Sequence, residues 1–377
     1  MAFLAGVLYL VTGIASVSPA WEIETDIRGQ LSAWFVASQH DDASEDNHGF
    51  RYIPELGLTF PLDGDLTIDA AVAVNGYWSS HEDENGDQSD ADLYRLWLRV
   101  AGSQYEIRGG LQKIDFGSAV LLRPLMWFDC VDPRDPLGLT NGVYGLLGRY
   151  YFLNNANVWL WGLWGNDETK GWESMASHED RPEYGGRVQT PFLNGEIALS
   201  VHHREVDTDD LNPIDEDDSS FPENRVGLDG KWDVGIGLWF ESVVVHQESD
   251  PIPMQYQKFM TIGLDYTFDI GNGLNVIGEN LWISASEKLD ASDDTASFSA
   301  ASINYPVGLL DRASAIIYYD WDNAEFYRFV SWERKYDNWQ FHLMGFWNPD
   351  VLQIYATDRA DTLFAGKGLQ LLVVFNH

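Results

Sequence analysis

The sequence predicts an all-β fold, a single closed antiparallel transmembrane β-barrel of about 18 strands, and three observations carry that reading. Apolar and polar residues alternate with period two from the region of Glu22 to Phe375. The links between alternating runs are short and long by turns. Beyond the first twenty residues there is no uninterrupted apolar run of about 18 residues, so a membrane would have to be crossed by strands and not by helices.

Taken in chain order, residues 1–20 form an apolar stretch (Phe3, Leu4, Val7, Leu8, Leu10, Val11, Ile14) that closes on Ser18-Pro19-Ala20. This is the pattern of a secretion signal cut before Trp21, although the basic residues that usually open such a segment are missing. The first strand follows, with Ile23, Ile27, Leu31, Ala33 and Phe35 on one face and Glu24, Asp26, Arg28, Gln30 and Ser32 among the polar positions. Leu66, Ile68, Ala70, Val72 and Val74 repeat the pattern, as do Leu96, Leu98 and Val100 against Arg95, Trp97 and Arg99. Further on, Val226, Leu228, Gly230 and Trp232 oppose Arg225, Gly227, Asp229 and Lys231, and Ile262, Leu264, Tyr266 and Phe268 oppose Thr261, Gly263, Asp265 and Thr267. No helical period competes.

A soluble sandwich also alternates, so the links decide. Tight ones fall at 61–65, 102–103, 153–155, 192–194, 233–235, 269–272, 306–312 and 336–337. Long, mostly polar ones fall at 40–48, 80–90, 113–142, 167–182, 208–222, 249–256, 288–294, 321–324 and 348–366. Eight short and nine long links join 18 strands, an even number with both termini on the short-turn, periplasmic side and the long acidic loops outside. Closure also removes the sheet edges that so many strands would otherwise expose. Aromatic residues near the run ends, such as Tyr77-Trp78, Tyr150-Tyr151-Phe152, Trp232 and Trp347, suit girdles at the membrane interfaces.

Composition limits the partners. A formal net charge of -36 excludes nucleic acid and a basic mode of membrane-surface binding, leaving cations, neutral solutes and proteins. The single cysteine, Cys130, excludes an intramolecular disulfide and reads as a packed bystander thiol. Acidic clusters at Asp41-Asp42 with Glu45-Asp46, at Glu82-Asp83-Glu84 through Asp92, at 207–218 and at 290–294 could hold divalent cations between loops, or be solvated surface charge. None has the spacing of an EF-hand loop, and no metal ligand is assigned. Among nucleophile or base candidates, His202 with Glu196 and Ser200, and His342, do not form a recognisable set. No HExxH, paired-cysteine motif or glycine-rich phosphate loop occurs, so neither a catalytic residue nor a cofactor is expected.

The link at 113–142 is the one long connection that is not simply hydrophilic. It contains Lys113, Asp115, Phe116, Leu121, Leu122, Arg123, Pro124, Leu125, Met126, Trp127, Phe128, Asp129, Asp132, Arg134 and Asp135. That apolar content needs a place to be buried, and the largest concavity of a barrel is its lumen. Pro124, Pro133 and Pro136 limit its freedom, so the expectation is a shaped, inward-folded constriction loop. The rival reading is an outer loop packed over its neighbours. Around it the charge changes sign: Arg95, Arg99, Arg108, Lys113, Arg123, Arg134 and Arg149 outnumber Glu106, Asp115, Asp129, Asp132 and Asp135. Parity aims Arg95, Arg99, Arg108 and Arg149 at the lumen, with Glu106, where such a ladder would either order polar solutes in a transverse field or pair with lumen carboxylates.

The run Gly109-Gly110-Leu111-Gln112-Lys113-Ile114-Asp115-Phe116-Gly117, the Asp-Pro-rich link after it, and the last run, with Leu369, Leu371, Val373 and Phe375 on one face, resemble bacterial outer-membrane porin-like barrels of the roughly 18-strand class. Alginate-export and substrate-specific porins belong to that class. The strand plan covers nearly all of the chain after residue 20, and the motif-level likeness about 45 residues around the link. The resemblance implies an outer-membrane channel, embedded in lipid, for passive diffusion of small polar solutes or ions, with Arg95, Arg99, Arg108 and Lys113 lining the pore. The -36 charge departs from an exporter of a polyanion. Two alternatives stand beside it: a structural or adhesive barrel with acidic cation-binding loops, and a secreted β-rich enzyme acting on glycans. The oligomeric state is open.

Overall fold

A computed structural model describes residues 23–40, 43–62, 64–81, 87–208, 220–248, 254–349 and 364–377; the expected secretion signal at 1–20 lies outside them. The strands are β1 (Glu24–His40), β2 (Ala43–Pro61), β3 (Thr67–His81), β4 (Gln88–Ala101), β5 (Tyr105–Gln112), β6 (Val143–Tyr151), β7 (Asn157–Leu163), β8 (Glu183–Phe192) and β9 (Gly195–Asp207). They continue as β10 (Ser220–Asp233), β11 (Gly237–Gln247), β12 (Tyr256–Phe268), β13 (Leu274–Ser286), β14 (Asp294–Pro306), β15 (Asp311–Asp320), β16 (Glu325–Lys335), β17 (Trp339–Trp347) and β18 (Lys367–Asn376). Each pairs antiparallel with its chain neighbours, and β1 also pairs with β18 from Gln30↔Asn376 to Gln39↔Lys367, so the sheet closes into an 18-stranded barrel without a free edge.

Alternation assigns the two surfaces. Ile27, Leu31, Phe35, Leu96, Leu98, Ile107, Leu146, Leu160, Ile317 and Leu371 are exposed on the outer face. Their sequence neighbours of opposite parity, including Ser32, Val36, Glu106, Leu147, Trp161, Leu372 and Val374, are buried inside. A continuous apolar exterior of this kind is stable only against lipid or a partner of equal polarity. Because consecutive residues face opposite ways, only one of Tyr77 and Trp78 can belong to an outer girdle. Tyr77 turns inward, with the Arg51 guanidinium 5.8 Å from its ring centre.

Short links follow turn chemistry. Leu193 and Asn194 both have positive φ, as a two-residue hairpin between β8 and β9 requires. At the β10–β11 turn, Gly235 has φ +91° and donates its N–H to the Asp233 carboxylate at 3.1 Å. One long link differs from expectation. The polar stretch at 40–48 is mostly strand, since Val36↔Asn47, Ala37↔Asp46, Ser38↔Glu45 and Gln39↔Ser44 continue the β1–β2 ladder. Backbone hydrogen bonding does not need apolar side chains, so polarity marks where a hairpin leaves the apolar zone and not where it ends.

The packed core lies within the barrel. Ile114, Phe116, Leu121, Leu122, Leu125, Met126, Trp127 and Phe128 of the β5–β6 link cluster with inward-facing Val36, Trp161, Val243, Phe298, Tyr318, Phe329 and Phe346.

Candidate functional site

The link at 113–142 begins where β5 breaks off. Gly110 has φ +116°, and a Cβ there would lie 2.1 Å from the Leu96 carbonyl oxygen, so the strand end requires glycine. The buried Gln112 side chain donates to the Arg108 and Gly145 carbonyls at 3.1 and 3.0 Å, fixing the departure point between β5 and β6. Lys113 pairs with Asp115 at 3.1 Å, both partly exposed.

Phe116 is the first anchor. Its ring stacks on Trp161 at 5.7 Å and meets Trp127, Phe128 and Trp159 edge-on, with the Arg187 guanidinium 5.1 Å from its centre. Such pairs contribute about 0.5–1.5 kcal/mol each beyond burial. Arg187 is itself held by Asp229 through two bonds of 2.6 and 2.8 Å, both side chains being only 4% exposed.

The chain then runs along the opposite wall. Backbone N–H groups of Ser118, Ala119 and Leu125 donate to Glu241 on β11, and those of Val120, Leu121 and Leu122 to Glu279 on β13. Between them, Thr261 Oγ1 on β12 donates to the Leu122 carbonyl at 2.8 Å. Arg123 pairs with buried Asp129 at 2.8 Å, and the Trp172 indole donates to the Arg123 carbonyl at 2.9 Å. Burial nevertheless raises the Asp129 carboxyl above its ordinary range, against the pull of Arg123. Trp127 and Phe128 pack on His202 of β9.

On the return, the Cys130 N–H donates to Thr140 Oγ1 at 2.9 Å, and its sulfur accepts from the Gly171 N–H at 3.3 Å. Burial pushes the thiol up, away from the thiolate form. Arg134 pairs with Asp132 at 2.8 Å and lies 5.7 Å from the ring centres of both Phe329 on β16 and Phe364. Asp135 accepts N–H bonds from Leu137 and Leu139 at 2.9 and 3.2 Å, closing the tight turn beyond Pro133. Finally Arg95 Nη2 of β4 donates to the Thr140 carbonyl at 2.9 Å, while its guanidinium sits 3.9 Å over the Tyr94 ring. Tyr94 is the extra residue of a bulge where the β3–β4 register shifts between Ala73 and Val74. The link therefore bonds to inward-facing groups on β4, β11, β12 and β13 and packs on β7, β9 and β16, which puts it across the interior of the barrel.

Toward the short-turn side lies a charge cluster. Glu106 on β5 is approached by Arg149 at 3.1 Å, Arg99 at 3.7 Å and Arg108 at 3.8 Å. Arg99 is shared with Asp69 on β3 at 2.8 Å. Arg149 stacks 3.7 Å over the Trp159 ring, and Arg108 lies 5.0 Å from that of Trp97. Three guanidinium groups thus meet two carboxylates, a local excess of positive charge inside an acidic protein. Parity groups Arg99, Glu106, Arg108 and Arg149 in this cluster, whereas Arg95 leaves it for the link.

Several residues of the site have no sequence signature. Glu241 and Glu279 look like any polar position of an alternating strand. Arg204, Arg225, Glu223 and Glu173 form a second buried network beside Trp127 and Trp172, with Arg204 2.6 Å from Glu223 and Arg225 2.6 Å from Glu173. His202, singled out with Glu196 and Ser200, instead faces Glu183 at 3.2 Å and accepts from the Trp161 indole at 3.2 Å. Glu196 bonds to Gln189. Among the described residues no group of three or more His, Cys, Asp or Glu side chains is placed to hold a metal ion. The acidic stretches at 41–42, 82–86 and 209–219 lie outside the described residues.

No model of a known protein family matches the chain, and no curated protein matches it. Solved structures do. OccK2 (OpdF) of Pseudomonas aeruginosa is 9% identical with a TM-score of 0.62, over 94% of this chain and 97% of that one. OccAB1 of Acinetobacter baumannii is 9% identical at 0.56, over 93% and 95%. A BenF-like porin from Pseudomonas fluorescens Pf-5 is 10% identical at 0.55, over 94% and 98%. The chain thus has the fold of the outer-membrane porin barrels. At these identities the likeness concerns fold alone.

Proposed function

We propose that this chain is an outer-membrane channel for passive diffusion of small polar solutes or ions, with residues 1–20 as its secretion signal and the link at 113–142 as its constriction. The observation that carries the reading is the path of that link, fastened to inward-facing groups on one wall and packed on others inside a closed barrel. The apolar exterior supports a lipid surrounding, and the porin-type fold of the solved structures supports transport over catalysis. Solutes that pass the link meet Arg99, Arg108, Arg149, Glu106 and Asp69, where excess positive charge favours neutral and anionic solutes over cations. Lys113, Asp115, Arg123, Trp127, Asp129, Asp132, Arg134 and Asp135 shape the constriction, and Arg95 pins its return.

Liposome swelling tests this. Vesicles carrying the folded barrel are expected to swell in small sugars and amino acids and to stop swelling above a sharp size limit. Folded barrels that give no swelling with any solute would sink the proposal.

A further inference from the structure

We infer that Glu241 and Glu279 are positioning residues that set the free cross-section of the channel, by clamping the backbone of 118–125 to the β11–β13 wall. The inference rests on the channel reading above and adds the residues that fix its width.

The geometry is that of two anions bound by a loop. Glu241 Oε1 accepts from the N–H groups of Ser118 and Ala119 at 2.5 and 2.7 Å, and Oε2 from that of Leu125 at 3.0 Å. Glu279 Oε1 accepts from Val120 N–H at 2.7 Å and from the Trp239 indole at 2.9 Å, and Oε2 from Leu121 and Leu122 N–H at 2.8 and 2.6 Å. Arg123 lies near enough to attract Glu241 electrostatically. Six backbone donors and one indole are aimed at the two carboxyl groups, and bonds to an ionised acceptor are roughly twice as strong as neutral ones.

The dependence is mutual. Residues 118–122 belong to neither helix nor strand, so their N–H groups have no ladder to join and are taken up by these carboxylates. Six directed bonds set the register of this stretch on the wall, beside the apolar packing that anchors Phe116. Gly117 permits the approach: its φ is +107°, and a Cβ there would stand 2.3 Å from Glu241 Oε1. Val120 is left 42% exposed, the residue of the clamped stretch that faces open space.

The test uses the full-length barrel with Glu241→Gln, Glu279→Gln and the double substitution, which keep side-chain size and remove the charge and one acceptor oxygen. Hydrogen exchange is read at the amides of 118–122 and 125, and channel conductance and solute size limit are read on the same preparations. Loss of the charged acceptors is expected to speed exchange of these amides by about ten- to a hundredfold, leaving the β11 and β13 ladders protected. Conductance and the size limit are expected to rise together. If the double variant fails to fold, each single variant should free its own set, 118, 119 and 125 for E241Q and 120–122 for E279Q. Unchanged exchange overturns the inference, as does faster exchange with an unaltered size limit. A wild-type barrel that never conducts overturns the channel reading and this inference with it; a conducting wild type matched by its variants overturns the inference alone.

Discussion

Glu106→Gln is the most informative single change to the charge cluster. Glu106 is 8% exposed and serves three arginines at 3.1 to 3.8 Å, so the amide leaves the cluster with one more net positive charge. Structurally, the arginines lose a charged acceptor at a buried site, a cost of about 1–3 kcal/mol. Functionally, one unit charge acts on a hydrated ion about 7 Å away with roughly 0.6 kcal/mol in water, or about 0.3 kcal/mol after screening over a Debye length of ~10 Å. That is roughly 1.7-fold for each sign of ion, and so about threefold in the anion-to-cation permeability ratio. The assay is the reversal potential of single channels across a salt gradient, with a melting curve in detergent to confirm folding. The potential is expected to move toward anion selectivity by that ratio. A folded variant with unchanged selectivity, or a move toward cations, would refute the idea that permeating ions pass this cluster.

Other substitutions probe the link. Phe116→Ala removes the ring that joins Trp127, Phe128, Trp159 and Trp161, and is expected to cost about 3–5 kcal/mol of local stability, seen as earlier urea exposure of tryptophan fluorescence. Asp229→Ala strands the buried Arg187 guanidinium and should lower stability by about 3–5 kcal/mol, whereas the double change Asp229→Ala with Arg187→Met should recover part of it; equal losses in both would remove the ion pair as the cause. The pH response follows from Asp129. Its carboxyl is raised by burial, so the native link keeps a proton that the unfolded chain has released, and the contribution of Asp129 to stability falls as pH rises from 3.8 through its raised folded value. The wild-type advantage over Asp129→Asn in urea midpoint should shrink as pH rises above 3.8, and an advantage that grows would contradict the assignment.

The barrel was legible because a strand's period of two is written residue by residue, and because Gly235 and Asn194 mark turns by their conformational needs. The strand count followed from the links. Strand lengths on the long-link side were less legible, since β1 and β2 extend on backbone bonding through the polar stretch at 40–48. Inward parity of Arg99, Glu106, Arg108 and Arg149 could be read, but their convergence with Asp69 depends on the inter-strand register, which periodicity does not encode. Glu241 and Glu279 were invisible for a related reason. Their partners are backbone amides more than 100 residues away, and a backbone amide carries no sequence signature.

The central claim is a channel narrowed by an interior link, and the most direct measurement is single-channel recording in a planar bilayer with neutral polymers of graded radius. Discrete conductance steps are expected, blocked by polymers far smaller than the bore of an unobstructed 18-stranded barrel. Folded, inserted barrels that stay silent at every voltage, or steps as wide as an empty barrel would give, would contradict it.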